Sequence, residues 1–369
     1  MKYKLKDVCN FYSGTGFPTK YQGEIEGDYP FYKVGDIANN VIAGNIYLAM
    51  CNNYVSIDTV KKIKGCVLPP NTVVFAKIGE ALKLNRRAIT SCACLIDNNA
   101  MGIAPKEDTL RIQYFYFFMK NLKMQVLAES TTVPSVRKTI LEDYEVEIPS
   151  LNIQEEIESR LTIIQDIIEK RKKELSLLDN LIKARFVEMF GNCKEKCRLS
   201  DYAELITKGA SPRWQGVEYS DKEEGTLFIT SENVREGFID YTKKKFLPNE
   251  INSILPRSVL KRNDVLINIV NASIGRAAIY ESDDLANINQ AVALIRLKPD
   301  VLNLQFLLAF LNSDEAISAY DYMKVGGDKS NLSLKNISDL QIPVAGMDLQ
   351  NQFADFVHQV DKSKFMKSF

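Results

Sequence analysis

The chain repeats itself. Displaced by about 194 positions (Tyr3 to Cys197), its first half falls on its second: YKLKDVCNFYSGTGFPTK lies over CRLSDYAELITKGASPRW, with Leu5 on Leu199, Asp7 on Asp201 and Pro18 on Pro212. FYKVGDI (Phe31–Ile37) falls on FITSENV (Phe228–Val234), and TVVFAKIG (Thr72–Gly79) on DVLINIVN (Asp264–Asn271). NNAMGIAP (Asn98–Pro105) lies near NQAVALIR (Asn289–Arg296), and YFYFFMKNL from Tyr114 matches FLLAFLNSD from Phe306. DYEVEIPSLNIQEEIESRL (Asp143–Leu161) falls on ISDLQIPVAGMDLQNQFADFV (Ile337–Val357), with two extra residues after the proline. A solenoid repeats every ~20–50 residues, so this period describes a duplicated domain. The 369 residues divide into a globular part, 1–150, a helix, 151–192, a second globular part, 193–346, and a short second helix, 347–369.

Inside each globular part the β-branched runs VVFAKI and VLINIV, bounded by Pro, Gly or Asn, read as buried strands. Frequent turns (Ser13-Gly14, Gly65, Pro69-Pro70-Asn71, Asn98-Asn99, Gly326-Gly327) predict strand-rich, loop-rich domains. Helix-length stretches near Arg111–Leu127 and Asn303–Tyr320 make the class α+β.

The connecting segment carries a heptad seam. Ile157, Leu161, Ile164, Ile168, Leu175, Leu178, Ile182 and Met189 follow steps of three, four and seven, with Arg171 and Arg185 at the skipped positions. Neither Pro nor Gly interrupts Asn152–Phe190, and Gly191 stands where a helix should end. Such a helix spans roughly 54 Å at 1.5 Å per residue, and its apolar stripe needs a partner. Phe353, Val357 and Val360 begin the same pattern, which predicts an antiparallel coiled-coil spacer. The second helix stops at Phe369, after about 20 residues against about 38 in the first. The distal half of the first stripe is therefore expected to lack a partner within the chain. A truncated or silent allele, a disrupted frame, or a spacer completed by another subunit would each account for it.

Residue counts exclude whole chemistries. A single histidine, His358, rules out a Ser-His-Asp triad or a multi-histidine metal site in the body of the protein. Seven cysteines in a chain of this length are no disulfide framework. Cys92-x-Cys94 has strand spacing and is expected to pack both thiols in the core, and Cys193-x3-Cys197 lacks zinc-site spacing. FYSGTGF (Phe11–Phe17) superficially resembles the glycine motif of adenosylmethionine-dependent methyltransferases. Its counterpart LITKGAS (Leu205–Ser211) does not keep both glycines, and no Asn/Asp-Pro-Pro-Tyr/Phe occurs. A Gly-x4-Gly-Lys phosphate loop and an Asp/Glu-x-Lys nuclease triplet are also absent from the sequence. No catalytic residue and no metal ligand is expected. No apolar run approaches the ~18 residues of a membrane span. The N-terminus MKYKLKDVCNFY lacks the apolar core of a secretory signal. A cytoplasmic protein without membrane contact is expected.

Formal net charge is zero, from 47 basic and 47 acidic side chains. It divides into +3 over 1–150, −1 over 151–190, −2 over 191–346 and zero over 347–369. Zero charge disfavours broad non-specific DNA affinity but permits local contacts. Basic residues gather in expected loops (Lys61-Lys62-x-Lys64, Lys83-x2-Arg86-Arg87, Arg137-Lys138, Lys243-Lys244-Lys245), some beside amides and aromatics. Arg reads guanine edges, Asn and Gln read adenine edges, and Lys and Arg hold phosphates. The candidate DNA contacts are Lys20, Lys33, Lys77, Lys83, Arg86, Arg87, Arg137, Arg213, Trp214, Asn233, Arg235, Asn271, Arg276 and Lys329. The candidate spacer and subunit interface is Ile157, Leu161, Ile164, Ile168, Leu175, Leu178, Ile182, Phe353 and Val357.

Each half opens with Leu-x-Asp, a small-residue turn and Pro. Each ends in a hydrophobic-Pro element with a downstream Gln: VEIPSLNIQEEI (Val146–Ile157) and, less closely, LQIPVAGMDLQNQF (Leu340–Phe353). The first helix closes with ARFVEMFG (Ala184–Gly191). Across nearly the whole chain this resembles the specificity subunit of type I restriction-modification systems. The resemblance implies two target recognition domains on double-stranded DNA, each reading half of a bipartite site, with helices that set the half-site spacing. It also implies docking of methyltransferase subunits and a restriction subunit with translocase and endonuclease activity. Adenosylmethionine, ATP and Mg would then be used by those partners, with no cofactor bound by this non-catalytic chain. The competing expectation is a two-domain coiled-coil adaptor without DNA binding. Steep salt dependence of duplex binding separates the two.

Overall fold

In a computed structural model of the chain, residues 2–128, 133–219, 224–324 and 331–366 are described. Two compact units emerge, Met1–Lys172 and Lys173–Phe369.

In the first unit the run VVFA becomes strand Val73–Ala76, which lies inside a four-stranded antiparallel sheet. The order is Cys9–Ser13, Ala100–Pro105, Val73–Ala76, Ala88–Ile89. Side chains alternate across a strand, and both faces here are covered. Val73 and Phe75 enter one cluster with Phe115 and Met119 of helix Ile112–Asn121. Val74 enters another with Tyr32 and Ile96. Strands buried on both faces read as continuous apolar runs, which is why the sequence marked them. A three-stranded sheet lies in the order Tyr54–Val55, Tyr29–Tyr32, Leu95–Ile96, the last pair parallel. Lys2–Lys4 pairs antiparallel with Glu145–Glu147 and joins the N-terminus to the end of the globular part.

The second unit repeats this topology strand for strand. Its four-stranded sheet runs Ala203–Lys208, Val292–Leu297, Val265–Asn268, Ala277–Ile279. Its three-stranded sheet runs Phe246–Leu247, Thr226–Ile229, Ala286–Ile288, again with one parallel pair. Lys196–Arg198 pairs with Gln341–Pro343. Val265 and Ile267 face Phe306 and Phe310, while Leu266 faces Leu227 and Ile229. One sequence alignment shifts by a residue. Val73 pairs with Ile103 and Val265 with Ile295, so Ala100 corresponds to Val292 rather than Ala291.

Each expected helix-length stretch is broken in two: Ile112–Asn121 then Met124–Leu127, and Leu304–Leu311 then Asp314–Met323. In the second unit the cause is Asn312. Its amide clamps the backbone of Ala277 through both N–H and C=O, at 3.0 and 3.1 Å. Ser313 then caps the next helix by accepting from the Ala316 N–H.

The connecting helix runs Leu151–Phe190 without interruption. At its end the Gly191 N–H bonds the Val187 carbonyl at 2.8 Å. A Cβ on Gly191 would sit 2.6 Å from that oxygen, so close approach explains the glycine. Helix Met347–Met366 packs antiparallel on the C-terminal part of the long helix within the second unit. Phe353 meets Phe186 and Phe190 at 5.5 and 5.6 Å, Phe356 lies 5.7 Å from Arg185, and Lys364 pairs with Asp179 at 2.8 Å. Phe353 and Val357 are buried, and Ile182 packs against their cluster. Ile157, Leu161, Leu175 and Leu178 are half-buried, whereas Ile164 and Ile168 are 51% and 48% exposed.

The repeated glutamine has a structural role that the sequence did not declare. Gln154 is fully buried, and its Oε1 accepts from the Arg111 N–H while Nε2 donates to Thr109 O and Pro149 O, each at 2.9 Å. Gln350 repeats the latch: Oε1 accepts from Asn303 N–H at 2.9 Å and Nε2 donates to Ala345 O at 2.8 Å. In both copies one amide satisfies the backbone where the globular part meets its helix.

Candidate nucleic-acid interface

At Pro18 and Pro212 both repeats enter a 3-10 turn, Thr19–Tyr21 and Pro212–Gln215. The first carries Lys20, exposed, with its ammonium 4.8 Å from the Tyr21 ring. The second carries Arg213 and Trp214, both exposed, Trp214 at 85%. Pro212 is buried beneath it, and Gly216 closes the turn at φ 70°, a conformation suited to glycine. Lys33 is half-buried, bonded to Gln22 Oε1 at 2.5 Å, and 5.9 Å from the Phe17 ring that stacks on Phe31. Arg276 and Asn271 occupy the turn between two strands of the second sheet, Asn271 at φ 59°. Left-handed geometry is several-fold enriched in Asn.

Lys77, half-buried, and Arg137, exposed, are distant in sequence but line one cleft with Ser13, Ser135 and Lys138. Lys83 is exposed and paired with Glu80 at 2.6 Å, and Arg86 is half-buried. Arg235 is half-buried and 3.5 Å from Asp240. Lys329 lies outside the described residues.

Two expected contacts belong to the interior instead. Arg87 is 1% exposed, with its guanidinium 4.8 Å from the Phe75 ring and bonded to Asn85 Oδ1 and Arg86 O. Burial lowers its pKa to about 10. Asn233 is buried and holds a loop: Oδ1 accepts from Thr230 N–H and Oγ1, and Nδ2 donates to Asp240 O and Lys243 O. In sequence, an arginine beside another arginine and an asparagine two before an arginine look like surface; only the folded packing shows that they are buried.

The first glycine of FYSGTGF is likewise architectural. A Cβ on Gly14 would fall 1.7 Å from Asp97 O, and one on its counterpart Gly209 would fall 1.8 Å from Ile288 O. Glycine is needed there for backbone approach. The expected pairing of thiols in the core is also corrected: Cys94 is buried, but Cys92 sits outside any strand and is exposed. Burial pushes the Cys94 thiol up, and that of Cys9 to about 12. A thiol-specific alkylating reagent is therefore expected to label Cys92 first in the folded chain and Cys9 and Cys94 only on unfolding. Peptide mapping that finds Cys94 modified ahead of Cys92 would contradict this placement. Among the described residues no helix is long and apolar enough to cross a membrane.

Comparison with known proteins agrees with the duplicated topology. The family described as the type I restriction modification DNA specificity domain matches twice, over residues 1–177 and 195–367. The chain is 21% identical to the type I restriction enzyme MjaVIII specificity subunit of Methanocaldococcus jannaschii, covering 97% of this chain and 85% of that one. It is 23% identical to the EcoBI specificity subunit of Escherichia coli, covering 98% and 79%. The fold matches the type I restriction-modification S subunit from M. genitalium at a TM-score of 0.51 and 12% identity, over 99% of this chain and 90% of that one. It also matches a chain of a type I restriction-modification assembly at 0.54 and 15% identity, over 99% and 91%. Two copies of one domain, each closed by a glutamine latch onto a helix, and two matches to one family place this chain among the type I restriction-modification specificity subunits.

Proposed function

We propose that this chain selects the DNA sequence on which a type I restriction-modification complex acts, each repeat reading one half of a bipartite duplex site. The observation that carries this reading is the DNA specificity family matched once per repeat, on two globular parts of identical strand order. In support, each repeat places basic and aromatic or amide side chains on corresponding turns: exposed Lys20 beside half-buried Tyr21 in one, exposed Arg213, Trp214 and Gln215 in the other. Loops positioned by a rigid scaffold are where recognition residues concentrate.

In this reading, helices Leu151–Phe190 and Met347–Met366 dock methyltransferase subunits, and a restriction subunit completes the complex. The methyl donor adenosylmethionine, and ATP with Mg, are used by those partners, and this chain contributes no catalytic group. The exposed Ile164 and Ile168 stripe supports a protein contact on the long helix.

Methylome sequencing of a host expressing this chain with its methyltransferase tests the reading. The expected result is one methylated motif of two short defined halves separated by a fixed undefined run. Exchanging residues 1–150 for those of another specificity subunit should change one half and preserve the other. A methylated motif that does not depend on this chain would overturn it.

A further inference from the structure

The cleft lined by Lys77, Arg137 and Lys138 with Ser13 and Ser135 has a volume of about 280 Å³. Ile78 and Met101 supply apolar wall, and among the described residues no carboxylate lines it. Lys138 is shared with Glu142 at 3.4 Å. Lys77 is half-buried and has no ion-pair partner among the described residues. The two serine hydroxyls add neutral donors. A small cleft lined by three cations and two hydroxyls suits an oxyanion with several acceptor oxygens.

The second repeat shows that the fold does not require this chemistry. Lys77 and Ile269 are equivalent by backbone pairing. Lys77 N–H donates to Asn99 O and its carbonyl accepts from Val136, while Ile269 N–H donates to Ala291 O and its carbonyl accepts from Leu332. At that position the second repeat has an apolar side chain buried in the core. Helices Lys138–Glu142 and Leu334–Ser338 also correspond. Ser333 caps the second by accepting from the Asn336 N–H at 3.1 Å. Arg137 stands at the same place in the first and provides no cap. The first repeat thus gives up a favourable cap residue and an apolar one, and places two cations around a cleft instead.

We propose that this cleft is a phosphate-binding subsite of the first repeat alone, with Lys77 and Arg137 as its principal ligands. For the source of the phosphate it rests on the DNA reading above. A backbone phosphodiester held here fixes the register of the first repeat on the duplex, while the second repeat has Ile269 and Ser333 at the positions of Lys77 and Arg137.

The test uses the full chain assembled with its methyltransferase and compares wild type with Lys77→Gln/Arg137→Gln. Lys61→Gln/Lys62→Gln serves as a control for loss of charge elsewhere in the repeat. Duplex affinity is measured against salt with a mixed-sequence duplex. The expected result is a log–log slope shallower by about 0.9, the value for one phosphate contact, in the cleft variant only and with unchanged thermal melting. Equal slopes for wild type and cleft variant, or equal loss in the control, overturn the subsite and leave the DNA reading standing. Inorganic phosphate at constant ionic strength identifies the source. Competition against wild type but not the variant shows that the cleft also accepts the free anion; no competition, with the slope change present, assigns it to the diester. If wild type shows no salt-dependent duplex binding, the DNA reading fails. Broadening of the ³¹P line of inorganic phosphate by wild type and not by the variant then still supports the cleft, and its absence overturns it.

Discussion

Truncating Phe353 to alanine is expected to lower the stability of the second unit by about 3–5 kcal/mol, the range for a fully buried phenylalanine. Phe353 is 0% exposed and packs edge-on against Phe186 and Phe190, which themselves pack on Phe306. The cavity would open where the C-terminal helix, the long helix and the globular part of the second repeat meet. Its equivalent by the glutamine latch is Ile157, which stands three residues after Gln154 as Phe353 stands three after Gln350. Ile157 is only half-buried, so Ile157→Ala should lose much less. Thermal and urea unfolding of both variants measures the contrast. Equal losses at the two positions, or a loss under about 1 kcal/mol for Phe353→Ala, would show that the aromatic cluster does not hold the C-terminal helix.

The features most legible in the sequence were those that a periodicity can carry. Val73–Ala76 and Val265–Asn268 are covered on both faces, and such strands are apolar at nearly every position. The long helix has no breaker between Leu151 and Phe190. Duplication was legible because both copies must fill the same core. The break in the second helix-length stretch was not, because Asn312 acts through a strand distant in sequence. Nor was the partition of the heptad seam, where one stripe is covered at Ile182 and open at Ile164 and Ile168. A repeat pattern records that a face is apolar, not what covers it.

The recognition surface was less legible for a related reason. Lys20, Arg213 and Trp214 follow a turn-forming proline and do lie outside. Arg87 and Asn233 have the same residue chemistry but satisfy internal groups, since a buried polar side chain and a binding side chain need the same donors and acceptors. Lys77 and Arg137 could not be joined from sequence at all. The bridge between Ile78 and Ser135 brings their segments together.

Removing Arg296 is expected to destabilise the second unit by about 3–5 kcal/mol, whereas removing it together with its partner should restore most of that loss. Arg296 grips Asp264 with two bonds, Nε to Oδ1 at 2.8 Å and an Nη to Oδ2 at 2.7 Å. The Asp264 side chain is 1% exposed and also accepts from the Lys261 N–H at 2.7 Å. Arg296→Ala leaves a carboxylate buried with only one neutral donor. The sister repeat supplies the compensated solution. Registers Val73↔Ile103 and Val265↔Ile295 place Thr72 at the position of Asp264 and Ala104 at that of Arg296. Thr72 is fully buried, and its hydroxyl donates to Pro69 O at 2.8 Å. The same sheet therefore closes without any ion pair. Asp264→Thr/Arg296→Ala imports that arrangement and should melt close to wild type, well above Arg296→Ala alone. A double-mutant cycle on thermal unfolding reads the coupling. If the double variant is as unstable as the sum of its single changes, the pair contributes through something other than mutual neutralisation. If it recovers, the two repeats are alternative fillings of one architecture, free to differ inside as they differ at the recognition turns.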